Sequence, residues 1–98
     1  MARFDVYRLS DGAMVVDCQA YFLEDIGTRF VIPLGPRSGG APPNPRINPE
    51  FEVDGEAVVL VTQFASTIRP SELKRRVGSL DHEHLRITGA IDVLIGTA

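Results

Sequence analysis

The sequence predicts a mainly β domain in which a small, strongly curved antiparallel sheet carries a C-terminal α-helix. Three observations predict it: short segments that alternate polar and apolar residues, two Asp-Gly pairs at hairpin spacing, and a final segment with helical periodicity. With 98 residues the chain is expected to form one domain, residues 1–98. A core of this size gives only marginal stability, so a partner or a second copy of the chain would add to it.

Three strands are predicted in the first third of the chain. Residues 3–8 alternate polar and apolar side chains, Asp11-Gly12 suits a tight hairpin turn, and residues 15–20 form the return strand. Residues 30–34 predict a short buried strand. Pro33 places that strand at an edge, or itself at a strand end, because proline cannot donate a ladder hydrogen bond.

A second hairpin is predicted after a long loop. Residues 35–46 contain too many glycines and prolines for regular structure and predict the loop. Residues 51–53 and 57–64 form the arms of the hairpin around Asp54-Gly55. Within the second arm, residues 58–61 are apolar on both faces, which is typical of a central strand.

Two helices are predicted in the last third of the chain. Pro70 opens a short one, which Gly78 ends. The other spans residues 81–95, where apolar residues recur at three- and four-residue spacing to form a stripe: Ile87, Ala90, Ile91 and Leu94. Val93 and Ile95 lie off that stripe and are also apolar. Because the sheet covers only one side of a helix, we expect a partner or a second subunit to cover this end.

Composition predicts a cytoplasmic protein. No apolar run is long enough to cross a membrane, and the N-terminus lacks the apolar core of a signal peptide. A single cysteine, Cys18, excludes an internal disulfide and fits a reducing compartment. The net charge of −3 argues against direct binding of nucleic acid, whose affinity comes mainly from basic contacts to phosphate.

Charge is nevertheless unevenly distributed along the sequence. Four of the ten basic residues fall in one short stretch, and four acids alternate through another: Arg69, Lys74, Arg75 and Arg76; Glu50, Glu52, Asp54 and Glu56. Two interpretations stay open. Both groups are solvated surface, or they are complementary patches for partners.

No catalytic or metal-binding pattern is present, so the sequence predicts a protein that acts by binding and needs no cofactor. Cys18 lies in the middle of a predicted strand and is interpreted as a packed thiol. His82 and His84 are two residues apart, do not share a helix face, and are expected to be exposed. Gly39-Gly40 lacks the flanking strand and helix of a phosphate-binding loop.

Five blocks of sequence carry a resemblance to a known family: Phe4-Asp5-Val6-Tyr7, Val16-Asp17-Cys18-Gln19, Arg29-Phe30-Val31-Ile32-Pro33-Leu34, Val61-Thr62-Gln63-Phe64-Ala65-Ser66 and Ala90-Ile91-Asp92-Val93-Leu94. In this order and spacing they resemble the CcdB family of bacterial toxins over nearly the whole chain. The resemblance implies an SH3-like barrel with a C-terminal helix, assembled as a two-fold homodimer.

The resemblance also implies a function. Members are the toxin of a type II toxin–antitoxin module, of plasmid or chromosomal maintenance, and inhibit DNA gyrase by binding its A subunit and trapping it on cleaved DNA. A CcdA-like antitoxin with a disordered C-terminal arm wraps the dimer. Carried over, the gyrase contact falls on Ile95, Gly96, Thr97 and Ala98. The surface for the antitoxin and the dimer mate comprises Phe22, Leu23, Ile91, Asp92, Val93 and Leu94.

The C-terminus departs from the family. Its members end in Trp-Gly-Ile, whose aromatic ring stacks on an arginine of gyrase, whereas the aligned residues here are Gly96-Thr97-Ala98 and the chain has no tryptophan. A buried aromatic anchor contributes on the order of 2 kcal/mol, so its loss costs about thirtyfold in affinity. An interaction protein of the same fold, with a lost or altered target, is therefore an alternative.

A second alternative is a MazF/Kid-like endoribonuclease, since those enzymes share the barrel and somewhat resemble residues 66–73. They cleave RNA with an Arg and an Asp two apart on the preceding strand. The matching positions here are Val61 and Gln63, neither of which transfers protons at neutral pH. Arg29, Arg46 and Asp17 are possible substitutes without a motif to support them.

Overall fold

The computed structural model describes residues 2–37 and 43–97. Within them the chain forms seven strands: β1 (Asp5–Arg8), β2 (Met14–Asp17), β3 (Arg29–Pro36), β4 (Glu50–Val53), β5 (Glu56–Leu60), β6 (Ser66–Ile68) and β7 (Arg75–Ser79). One α-helix follows, α1 (His84–Ile95). Short 3-10 segments connect these elements: Tyr21–Ile26, which is kinked at Leu23, Thr62–Phe64, Pro70–Glu72 and, directly before α1, Asp81–Glu83.

The strands form one antiparallel sheet in the order β4-β5-β3-β2-β1-β7, and β6 pairs with the first part of β3. The sheet curls strongly into a half-barrel, and α1 packs against it. Its two end strands approach each other, since a Cβ placed on Gly78 of β7 would lie 3.7 Å from Val53 of β4. The predicted class, a mainly β fold with a curved antiparallel sheet and a C-terminal helix, is confirmed.

Both predicted hairpins are present, and their turns use the predicted residues. Gly12 has a φ of 87° in the β1–β2 turn, which an L side chain would strain to adopt. Asp54 and Gly55 have φ values of 52° and 77°, as a type I′ turn requires at both central positions. The turn chemistry read from the sequence therefore sets the register of both hairpins.

The expected position of Pro33 at a strand end or an edge is wrong, because β3 is an interior strand. One edge of β3 pairs with β2, where Pro33 lies opposite Val15. The other edge pairs with β6 through Val31 and with β5 from Leu34 onwards. Pro33 falls between these two ladders, and its carbonyl accepts a 2.9 Å hydrogen bond from the Val61 N–H. Pro33 thus lies where the partner strand on this edge changes from β6 to β5, and no ladder hydrogen bond from its nitrogen is needed there.

The short helix predicted from Pro70 to Gly78 is also wrong. Pro70 opens only a single 3-10 turn that ends at Glu72, and the following residues form β7. This strand pairs with β1, and the Lys74 N–H donates to the Arg8 carbonyl at 3.1 Å. Pairing along the free edge of β1 satisfies more backbone groups than one further helical turn would.

The core is formed by one face of the sheet together with α1: Phe4, Val6, Met14, Val16, Cys18, Ile32, Leu34, Phe51, Val53, Val58, Leu60, Leu80, Ile87 and Ala90. A smaller cluster of Tyr7, Val15 and Val31 lies on the opposite face and is covered by Leu9, Ile68 and Leu73. The predicted central strand is confirmed for β5, which runs between β4 and β3 with both faces buried from Val58 to Leu60.

The predicted stripe of α1 is only partly buried. Ile87 and Ala90 are buried and Ile91 is half-buried, but Leu94 keeps 44% of its surface exposed. The last turn of α1 therefore lies outside the core that Ile87 and Ala90 join. Within the described residues, no helix is long and apolar enough to cross a membrane.

Candidate functional site

The C-terminal end of α1 exposes apolar side chains. Leu94 and Ile95 are 44% and 64% exposed, and Val93 is half-buried. Gly96 ends the helix in the left-handed conformation, with a φ of 82°, and its N–H donates to the Val93 carbonyl at 3.2 Å. The Thr97 N–H donates to the Asp92 carbonyl at 2.8 Å, which completes a Schellman-type cap. We call residues 91–97 the helix end.

The predicted site residues of the helix end lie together. Ile91 and Val93 are half-buried, while Asp92, Gly96 and Thr97 are exposed. Ala98 lies outside the described residues. The apolar surface predicted at this end of the helix is therefore present. That a partner or a second subunit covers it stays a prediction.

The turn Tyr21–Ile26, which we call the aromatic turn, is the second exposed apolar surface. None of its six residues is buried. Tyr21, Phe22 and Ile26 are 74%, 70% and 55% exposed, and Leu23 is 39% exposed. Phe22 and Leu23 were predicted here from the family resemblance. Tyr21 and Ile26 were not predicted, although four large apolar residues in six, between two strands that already supply a core, are a signal for them.

A buried polar network underlies the aromatic turn. The Gln19 side chain, itself buried, donates from Nε2 to the Leu23 carbonyl at 2.7 Å and accepts at Oε1 from the Phe30 N–H at 3.0 Å. The Gln19 backbone N–H donates to Asp17 Oδ1 at 3.1 Å. One side chain therefore ties the turn to the start of β3.

Asp17 and Arg29 form a fully buried ion pair at the base of this network. Arg29 donates from Nε and Nη2 to the same Asp17 oxygen, Oδ2, at 3.1 and 2.5 Å. Arg29 Nη1 is buried and has no hydrogen-bond partner within the described residues. Two opposite charges in contact offset much of each other's desolvation, so the pair is a structural element of the sheet.

The residues considered for ribonuclease chemistry do not form a site. Asp17 and Arg29 are fully buried against each other and cannot touch RNA in this conformation. Arg46 is exposed, in the segment before β4. Val61 is half-buried, and Gln63 accepts a 2.8 Å hydrogen bond from the Asn48 amide.

Cys18 and the two histidines occupy the environments predicted for them. Cys18 is a packed core thiol, and burial, helped by the charge of Asp17, raises its pKa to about 12. A thiol with so high a pKa does not supply a nucleophilic thiolate at neutral pH. His82 and His84 are exposed, and the His84 ring stacks on Phe4 with centroids 6.1 Å apart. In the part of the chain that the structure describes, no three potential metal ligands cluster.

The two charged stretches are only partly paired. Among the acids, Glu50 bonds Arg37 at 2.7 Å and Glu56 bonds Arg8 at 3.6 Å. Among the bases, Arg76 bonds Asp5 at 3.1 Å, which raises the pKa of the guanidinium. All these pairs involve an exposed group, so solvated surface remains a sufficient description of both stretches.

Comparison with known proteins identifies the family. The family model described as "CcdB protein" matches residues 3–96, nearly the whole chain. The chain belongs to the CcdB family. The half-barrel with its C-terminal helix is consistent with the CcdB fold. No curated protein matches the chain closely enough to count as a relative.

Membership of the CcdB family gives the function in general terms. The chain is a toxin-type protein of a toxin–antitoxin system, and its partners are in general those of such a system. The family is not a known enzyme family. Membership of the family does not identify the target or the antitoxin.

Proposed function

We propose that the protein is the toxin of a type II toxin–antitoxin module, which acts in the cytoplasm as a homodimer and inhibits DNA gyrase by binding its A subunit. A CcdA-like antitoxin neutralises it. The observation that carries the proposal is the apolar helix end on a chain of the CcdB family. An isolated 98-residue domain that leaves Leu94 and Ile95 exposed is expected to bury them against another macromolecule.

The homodimer uses the part of the helix end nearest the core. Ile91 and Val93 are half-buried by the chain itself, so a second copy has only to complete their burial. Leu94 adds an exposed aliphatic side chain beside them. Aliphatic side chains without charge are typical of homodimer cores, whereas Asp92 is placed at the rim.

The contact with gyrase uses the extreme end: Ile95, Gly96, Thr97 and Ala98. Ile95 is the most exposed large apolar side chain of the helix end, and Gly96 and Thr97 are exposed beyond it. The antitoxin covers Phe22 and Leu23 together with the exposed face of the helix end, so that toxin bound to antitoxin is withheld from gyrase.

The test measures binding of the purified protein to the purified gyrase A subunit by calorimetry, with inhibition of supercoiling as the functional readout. We expect a saturable complex and inhibition at stoichiometric protein, and Ile95→Asp should weaken both about tenfold or more. Leu85→Asp is the matched control, because Leu85 is 75% exposed on the first turn of the same helix. No binding by the unaltered protein, together with normal growth on overexpression, would refute the gyrase proposal.

The second candidate is an interaction protein of the CcdB fold with a different target. The observation that favours it is the absence of any aromatic side chain from residues 91–98, where the family places its anchor. Under this candidate, the overexpressed protein still slows cell growth or still binds the antitoxin, but gyrase activity is unchanged. Selection of resistant cells decides: resistance that maps to the gyrase A subunit favours the first candidate, and resistance that maps elsewhere favours the second.

A further inference from the structure

A groove of about 440 Å³ lies between residues 43–50 and helix α1. On one side it is lined by three prolines, Pro43, Pro45 and Pro49, and on the other by Gly89 and Ala90 of the helix. Pockets for small organic molecules enclose roughly 300–1,000 Å³, so the volume is sufficient for one. No lining residue belongs to the aromatic turn or to the helix end, so this surface, which we call the proline groove, is separate from both.

The proline side of the groove is held in place by Asn48. The Asn48 side chain is buried and donates from Nδ2 to the Leu60 carbonyl at 3.0 Å and to Gln63 Oε1 at 2.8 Å. Its Oδ1 accepts a 2.9 Å hydrogen bond from the Asn44 N–H. The prolines add stiffness, because the proline ring fixes φ. A surface that is rigid before binding loses less conformational entropy on association, which favours a ligand site.

Gly89 leaves space in the groove that the chain itself does not use. Glycine weakens the interior of a helix relative to alanine, because it loses more backbone entropy on folding. A Cβ built on Gly89 would contact no other part of the described chain within 4 Å, and the residue lies in regular helix. Packing within the chain therefore does not require glycine here, whereas a ligand that lies against the helix backbone does require it.

Among the described residues, the charged groups that border the groove leave one cation unpaired. Glu50 pairs with Arg37 at 2.7 Å, and Arg86 pairs with Glu83 at 2.8 Å. Within the same residues, no carboxylate lies within 4.0 Å of the Arg46 guanidinium. A free guanidinium binds a carboxylate through two parallel N–H donors. A monoanion therefore matches the groove, whereas a dianion would leave one negative charge uncompensated beside Glu50.

We propose that the proline groove binds a compact organic monoanion, a carboxylate carried on a flat apolar ring. The carboxylate pairs with Arg46, and the ring packs between the prolines and the helix backbone at Gly89. Proline and aromatic rings pack well on each other, as proline-rich peptides do in aromatic-lined grooves. The inference is independent of the proposed function, because it requires neither gyrase nor the antitoxin as a partner.

The test titrates three probes into the isotope-labelled protein and follows the Gly89 backbone amide and the Asn48 side-chain amide by NMR. Naphthoate should shift both signals in a saturable way. Naphthamide keeps the ring system without the charge, and acetate keeps the carboxylate without the ring. Each of these two should bind at least about tenfold more weakly than naphthoate, because each makes only one half of the contacts.

Variants assign the two halves of the site. Arg46→Gln should weaken naphthoate binding about tenfold and leave naphthamide unchanged. Arg75→Gln is the matched control, because Arg75 is an exposed arginine on β7, and it should change neither. Gly89→Leu should abolish binding of both ring probes by filling the groove. Gly89→Ala should raise the melting temperature by roughly 3–8 °C, since alanine stabilises a helix, and should still weaken naphthoate binding.

The outcomes separate this inference from its alternatives. Equal binding of naphthoate and naphthamide would overturn the pairing of a carboxylate with Arg46. Naphthoate binding that survives Gly89→Leu, or that shifts only signals outside the groove, would overturn the site. Failure of naphthoate to bind would also overturn it, and loss of self-association in Gly89→Leu would then assign the groove to a second copy of the chain. A failed gyrase test leaves the inference standing. Circular dichroism of each variant confirms folding.

Discussion

The aromatic turn and the helix end are both exposed and apolar, but the chain supports them by opposite means. The turn buries none of its own side chains, and a polar network of Asp17, Gln19 and Arg29 holds it from beneath. The helix end continues from a helix whose Ile87 and Ala90 are packed in the core. Polar bonds therefore fix the first surface, and apolar packing fixes the second.

This difference predicts that different substitutions destabilise the two surfaces. A hydrogen bond fixes direction but loses its effect when one partner is removed, and the other partner is left buried and unsatisfied. Apolar packing tolerates changes at its exposed margin, because little transfer free energy depends on them. The predictions below run from the largest expected effect on stability to the smallest.

Arg29→Ala should give the largest loss, because it leaves the Asp17 carboxylate buried without its charge partner. We expect the free energy of unfolding to fall by about 3–5 kcal/mol, measured by urea denaturation. Arg37→Ala is the control, since it breaks an exposed pair with Glu50 and should cost about 1 kcal/mol or less. Equal losses in the two variants would contradict a structural role for the buried pair.

Gln19→Ala should cost about 1–3 kcal/mol, since it removes the bonds to the Leu23 carbonyl and the Phe30 N–H. Its distinguishing effect is local. Amide exchange at Leu23 and Phe30 should speed up more than exchange in α1. Gln63→Ala is the comparison, because Asn48 keeps its bonds to two carbonyls there and the loss should be smaller. If amide exchange sped up equally along the whole chain, the Gln19 side chain would not be holding the turn locally.

The titration of Cys18 reports whether water reaches the interior of the sheet beside the polar network. The pKa of this thiol is raised from 9.0 to about 12, mainly by burial, so the folded protein retains the thiol proton after the unfolded chain has lost it. The contribution to stability is present in full below pH 9 and is lost as the pH rises from 9 towards 12. In that range the free energy of unfolding should fall by about 1.4 kcal/mol per pH unit.

The matched variant for that titration is Cys18→Ala. It should remove this slope while lowering stability at neutral pH by the loss of packing. Iodoacetamide gives an independent check, because the native thiol should react far more slowly than the denatured one at pH 8. Rapid alkylation of the folded protein would show that the thiol reaches water.

The helix end should show the smallest effect on stability. Leu94→Lys with Ile95→Lys changes side chains that are already largely exposed, so the monomer's free energy of unfolding should shift by about 0.5 kcal/mol or less. Self-association, measured by analytical ultracentrifugation, should be lost if the helix end is the dimer surface. Leu85→Lys is the control that should retain it. A variant that stays dimeric would place the dimer contact elsewhere.

The sequence predicted those parts of the fold that depend on local chemistry. Asp11-Gly12 and Asp54-Gly55 favour tight turns by their own backbone preferences, so both hairpins could be predicted from a few residues each. It did not predict β7, whose residues form a strand because β1 has a free edge to pair with. Nor did it predict Pro33 in an interior strand, since that position depends on where β6 gives way to β5.

The candidate site shows the same division. The apolar excess at the helix end could be read from helical spacing, and Phe22 and Leu23 came from the family resemblance. The exposure of Tyr21 and Ile26 was missed, because an apolar residue beside a strand is ordinarily assigned to the core. The role of Gln19 was missed because its two partners, Leu23 and Phe30, meet only after β3 folds back beside β2.

Strand β3 has a consequence for the order in which the protein assembles. It contacts β2, which is nearer to it in the chain, and also β5 and β6, whose paired residues are 22 to 39 positions away. Closing those longer loops costs chain entropy before the contacts form, so the pairing of β3 with β5 and β6 should form late. Once formed, its amides should be among the slowest in the protein to exchange with solvent. The change of partner at Pro33 is then the place where two separately forming halves of the sheet become one cooperative unit.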